Sequence, residues 1–101
     1  MKRDVRRRLI RAVNNINNLY LTKPEVVNLF TIYGGDRETA EKIYGMMELE
    51  WKNYLDTNNL INPGMKGVPH SIAEKYLTQY GITEKQLRRN LETLEKEEGN
   101  K

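Results

Sequence analysis

A chain of 101 residues, 38% apolar and 31% charged, is long enough for one core and too short for two. It has no cysteine and one histidine, His70, so disulfides, thiolate metal sites, thiol nucleophiles and serine-type triads lack their residues. The net charge of +3 is unevenly spread: residues 1–23 hold seven cationic side chains against one carboxylate, and residues 24–101 hold ten against thirteen. That is the pattern of a basic arm on a near-neutral body, suited to nucleic acid or an acidic protein.

The first helix is expected from about Arg3 to Tyr20. At 100° per residue, Val5, Leu9, Ala12, Val13, Ile16, Leu19 and Tyr20 form one apolar stripe, and Arg3, Arg7, Arg11, Asn14 and Asn18 lie opposite. Arginines four residues apart repel one another, and positive charge near a helix N-terminus opposes the macrodipole. An anion outside the chain would supply the missing countercharge. Thr22 with Glu25 reads as a capping box around Pro24, opening a second helix that carries Val26, Val27, Leu29 and Phe30 and stops at Gly34-Gly35. Asp36 caps a third helix running to about Asp56. Its expected buried arc is Ala40, Ile43, Tyr44, Met47, Trp51, Tyr54 and Leu55, which leaves Met46 and Leu49 in need of a second neighbour.

Residues 58–69 break the helical pattern at Asn62-Pro63-Gly64 and Gly67. Leu60-Ile61 and Val68 flank that turn, which predicts a short hairpin. Ser71 with Glu74 gives a second capping box for a helix to Tyr80, ended by Gly81. Thr83 with Gln86 gives a third, opening a helix that buries Leu87, Leu91 and Leu94 before the charged tail from Glu95 to Lys101. The expected fold is therefore all-α, with at most one short hairpin, in a single five-helix domain of the helix-turn-helix type. No apolar run has the length of a signal-peptide core or a membrane span, so a soluble, cytoplasmic protein is expected.

Two stretches fit a helix-turn-helix, in which the second helix enters the major groove while the first braces it. The first spans residues 22–56: Tyr20-Leu21-Thr22 leads into Lys23-Pro24-Glu25-Val26-Val27, and Gly34-Gly35-Asp36 leads into Arg37-Glu38-Thr39-Ala40-Glu41-Lys42-Ile43. With the turn-rich segment at 58–67 as a wing and Val68-Pro69-His70-Ser71-Ile72-Ala73 after it, residues 20–80 resemble small winged helix-turn-helix proteins. The resemblance is to the excisionase and MerR-related kind and to small proteins encoded beside integrases in Gram-positive mobile elements. It implies a winged-helix fold and DNA binding by a phage or mobile-element protein. The third helix departs from that pattern in its length and in mixing Glu38, Glu41 and Glu48 with Arg37, Lys42 and Lys52.

The second stretch spans residues 71–94, with Gly81 at the turn, Ile82 after it, and Leu87 and Leu91 as anchors. Leu77 stands where alanine usually lets the helices approach. Lys85 and Arg89 point outward, Arg88 to one side, and Gln86 and Asn90 to the other; arginine and lysine suit phosphate or guanine, and amides suit adenine. The favoured expectation is a DNA-binding transcriptional regulator or excisionase-like factor, with no enzyme activity and no cofactor. Its candidate contacts with double-stranded DNA are Arg3, Arg7, Arg11, Arg37, Lys42, Lys66, Lys85, Gln86, Arg88 and Arg89. The alternative is a protein adaptor or anti-repressor, or a homodimer, joined through Ile10, Met46 and Leu49; RNA binding by the arginine-rich helix ranks third.

Overall fold

The computed structural model describes residues 2–32, 34–61 and 66–99. Among these the elements run α1 (Lys2–Asn15), β1 (Tyr20–Leu21), α2 (Lys23–Thr31), α3 (Arg37–Thr57), β2 (Val68–Pro69), α4 (His70–Gln79) and α5 (Glu84–Gly99). Among the described residues the fold is all-α apart from one two-stranded antiparallel sheet. None of the described helices is long and apolar enough to cross a membrane.

α1 ends five residues before the apolar stripe does. The Asn18 amide donates to Asn15 Oδ1 (3.3 Å) and to the Glu25 carboxylate (3.1 Å), and such side-chain bonds compete with the helical ladder. The buried stripe therefore shrinks to Leu9, Ala12 and Ile16, while Val5 and Leu19, both expected inside, are exposed. Tyr20 and Leu21 leave the helix to pair with β2 in the register Tyr20↔Pro69 and Leu21↔Val68. The His70 N–H then donates to the Leu19 carbonyl (2.9 Å).

This pairing corrects the expected hairpin. Val68 finds its partner in β1, some 47 residues upstream, while Leu60 and Ile61 are exposed and outside any strand. The Asn62-Pro63-Gly64 turn lies outside the described residues. Gly67 is required by the sheet: its φ is +99°, and a Cβ there would stand 2.3 Å from the Leu21 carbonyl oxygen.

At the start of α2 the Glu25 carboxylate accepts the Thr22 N–H (2.8 Å) and hydroxyl (2.7 Å). Asp36 caps α3 by accepting the Thr39 N–H (3.1 Å). α3 buries Ala40, Ile43, Tyr44, Met47 and Leu55 and packs against α2, α4 and β2. Trp51 is only partly buried and Tyr54 is 52% exposed, so neither belongs to the deep core as expected. They stack on each other (5.7 Å, 14°), with Tyr20 edge-on to Trp51 at 6.4 Å. At that end of α3 the two-residue strands offer too little surface to cover two large rings.

α4 starts directly from β2 with Pro69 at its N-cap, and the expected Ser71–Glu74 box is not made. Glu74 instead meets His70 Nε2 at 3.0 Å. The left-handed Gly81 (φ +73°) ends α4, and the Thr83 hydroxyl caps α5 by accepting the Gln86 N–H (3.1 Å). α5 packs on α1. With Arg6 paired to Glu95 (3.8 Å) near one end and Asn17 beside Glu84 near the other, the two helices run antiparallel.

Candidate nucleic-acid interface

The basic start of the chain divides into cations that hold the fold together and cations that do not. Arg8 faces α2: its Nε donates to Asn28 Oδ1 (2.9 Å), its Nη2 to the Thr31 hydroxyl, and the Asn28 amide returns a bond to the Arg8 carbonyl (3.3 Å). Arg6 is engaged with Glu95. Arg7 and Arg11 are exposed. They lie across the helix from Leu9, Ala12 and Ile16 and have no ion-pair or hydrogen-bond partner among the described residues. The side chain of Arg3 lies outside the described residues.

On α5, Lys85 and Arg89 are likewise exposed and unpartnered among the described residues. Arg88 is not: its guanidinium donates twice to Glu84 (3.2 Å each). The neighbouring Asn17 amide, and after it this bond, hold the Glu84 carboxyl below the usual carboxylate range. The Gln86 amide donates to Asn90 Oδ1 (3.0 Å), so its adenine-reading group is turned along its own helix. Glu92 is the exposed carboxylate of this face. Lys66 is exposed just ahead of β2 and has no partner among the described residues.

The cations of α3 are neutralised in place. Arg37 pairs with Glu41 (3.1 Å), Lys42 with Glu38 (3.8 Å), and Lys23 reaches Glu41 from α2 (3.4 Å). The Arg37 hydrogen bond, followed by that of Lys23, holds the Glu41 carboxyl below its usual range. A phosphate approaching this surface would have to displace carboxylates already in position. The middle of the same surface is apolar, with Met46 and Leu49 more than half exposed.

Of the two expected helix-turn-helix stretches, only the first packs its two helices closely against each other. α2 and α3 pack together through a turn containing the left-handed Gly34 (φ +81°). In the second, Gly81 makes the turn and Ile82 is buried, its N–H bonded to the Leu77 carbonyl (2.9 Å), but α5 lies along α1. The structure thus brings Arg7 and Arg11 onto the same helix pair as Lys85 and Arg89. It leaves Arg37 and Lys42 on a separate helix.

Three polar contacts escaped the sequence reading. Arg8 looked like one more exposed arginine, and nothing in its spacing identified Asn28 and Thr31. Glu50 accepts Lys75 Nζ at 2.7 and 2.8 Å and the Tyr76 hydroxyl at 3.2 Å, tying α4 to α3. The Lys75 hydrogen bond holds the Glu50 carboxyl low. Third, His70, which stands ahead of the expected Ser71 cap, opens α4 with Nε2 on Glu74 and Nδ1 enclosed without a hydrogen-bond partner among the described residues. The ion pairs within α3 and α5 were also not read, since Arg37, Lys42 and Arg88 were expected at DNA, although their i, i+4 spacing from carboxylates is the signal that could have found them. Comparison with protein-family models, with curated proteins and with solved structures finds no match to this chain.

Proposed function

We propose that the protein binds double-stranded DNA through the outer surfaces of α1 and α5, with Arg7, Arg11, Lys85 and Arg89 as the phosphate-facing cations and Lys66 as a flanking one. The observation that carries this reading is the contrast in pairing. These cations have no carboxylate partner among the described residues, whereas Arg37, Lys42 and Arg88 each have one within 4 Å. An unpaired, exposed guanidinium or ammonium ion gains most from a phosphate, because nothing must be displaced and a condensed counterion is released. In this reading α3 braces the fold instead of lying in the groove, and the recognition helix of the excisionase resemblance is not its DNA contact. The resemblance of residues 20–80 supports a cytoplasmic regulator or an excisionase-like accessory factor of a phage or mobile element, acting by binding and not by catalysis.

Fluorescence anisotropy with a labelled 20-base-pair duplex, titrated across a salt series, tests the proposal. Four phosphate contacts predict a log–log salt slope of about −3.6. No binding at low salt, or a slope near zero, refutes it. Stronger binding to a structured RNA than to the duplex would move the reading to RNA.

A further inference from the structure

We infer that the outer face of α3 is a self-association surface, on which a second copy of this chain lies antiparallel with Leu49 on the two-fold axis. The face is open along its length: Lys42, Met46, Leu49, Lys52, Asn53 and Asp56 are all exposed, and the apolar pair at its centre is 54% and 58% exposed. On the opposite side, α3 is covered by α2 and α4.

Charge placement selects the occupant and its direction. Lys42, Leu49 and Asp56 are spaced seven residues apart, which is two helical turns and therefore one line along the helix. A second α3 laid antiparallel about Leu49 sets Lys42, whose exposed 3.8 Å pair with Glu38 leaves ammonium hydrogens to spare, against the Asp56 of the other copy, and does so twice because the arrangement is two-fold. Met46 then meets the aliphatic stem of Lys52, a contact such stems make readily. A parallel pairing would set Lys42 against Lys42 and Asp56 against Asp56, which is repulsive.

Gly45 lies beside this line in the middle of a 21-residue helix. It has ordinary helical backbone, and a Cβ there would have nothing within 4 Å. Glycine weakens a helix interior relative to alanine, and neither the local backbone nor packing within the chain requires it. Opposite a second helix, the missing side chain lets the backbones approach. In the antiparallel arrangement Gly45 faces Asn53 of the other copy.

One helix pair covers less than the roughly 1,600 Å² of a standard interface, so the association is weak. It is independent of the DNA reading, because it rests on a different helix and is tested on the protein alone. Sedimentation equilibrium of the full chain from about 20 µM to about 1 mM should show a monomer–dimer equilibrium. Leu49→Glu should abolish it with the helical circular-dichroism signal unchanged. Lys42→Asp or Asp56→Lys alone should weaken it about tenfold, since two exposed pairs turn from attraction to repulsion. The two substitutions together should restore it. A monomer throughout the concentration range overturns the inference, as does a dimer indifferent to Leu49→Glu, or single reversals that the double variant does not rescue.

Discussion

Arg8 stands in a run of three arginines that look interchangeable in sequence, and truncating it should separate structural charge from binding charge. Arg8→Ala removes the bonds to Asn28 Oδ1 and to the Thr31 hydroxyl, and leaves the Asn28 amide's bond to the backbone carbonyl of residue 8 to join α1 to α2. A hydrogen bond from a charged donor contributes about 1.5–3 kcal/mol, and an acceptor left bare costs about 1–3. The site is only partly buried, so water recovers some of this, and the net loss should be about 1.5–3 kcal/mol. For a chain of this size each kcal/mol shifts Tm by roughly 4–8 °C, which gives a drop of roughly 6–24 °C. Arg7→Gln, one residue away, removes a repulsion with Arg11 and should leave Tm within about 3 °C or raise it slightly. Thermal melts of the two variants by circular dichroism decide the matter. If Arg8→Ala melts with the wild type, or Arg7→Gln loses as much as Arg8→Ala, the division of α1 into structural and free cations is wrong.

Met47 is fully buried where α3 meets its neighbours, so Met47→Ala should cost about 2–5 kcal/mol in urea unfolding, and the half-covered Trp51 should cost less when truncated. Gly45→Ala should stabilise the monomer by about 0.8–1 kcal/mol, since Cβ meets nothing and the helix gains; loss of stability would reveal an unseen constraint there. The Glu50 carboxyl titrates below its ordinary value of 4.5 because Lys75 holds it ionised. Its contribution to stability is therefore present above pH 4.5 and lost as pH falls through the lowered folded value. The Lys75 ammonium is raised above 10.5 by the same bond, so its contribution persists below that pH and is lost as pH rises through the folded value. Lys75→Met should flatten the decline of the urea midpoint as pH falls below 4.5 relative to wild type; an unchanged decline would contradict the coupling.

The parts of the fold that were legible in the sequence are those set by neighbours in the chain. Thr22, Asp36 and Thr83 started helices where their side-chain chemistry said they would, and Gly81 stopped one. The parts that were not legible depend on distant residues. The periodicity of α1 continued through Tyr20, but Val68 and Pro69 offered Tyr20 and Leu21 a sheet partner that no local pattern reveals. Ser71 and Glu74 had the right spacing for a capping box, yet β2 ran straight into α4 and placed His70 within reach of Glu74. The same distinction holds at the candidate interface. Arg37, Lys42 and Arg88 were expected at DNA, yet the carboxylates that neutralise them stand four residues away in the chain and could have been read there, whereas the fixing of Arg8 by α2 depended on a tertiary contact. Met46 and Leu49 were out of register with the buried arc in the sequence, and the structure leaves them exposed.

The most direct test of the account compares two pairs of charge removals on one duplex. Arg7→Gln with Arg11→Gln removes cations unpartnered among the described residues from α1; Arg37→Gln with Lys42→Gln removes the same number from α3, where each has a carboxylate partner. Measured across a salt series, the α1 variant should lose affinity for every duplex sequence, and its log–log slope should shrink by up to about 1.8 units. The α3 variant should keep the wild-type slope. If the α3 variant loses the slope and the α1 variant keeps it, the DNA contact belongs to α3, and the assignment made from the pairing of these cations is wrong.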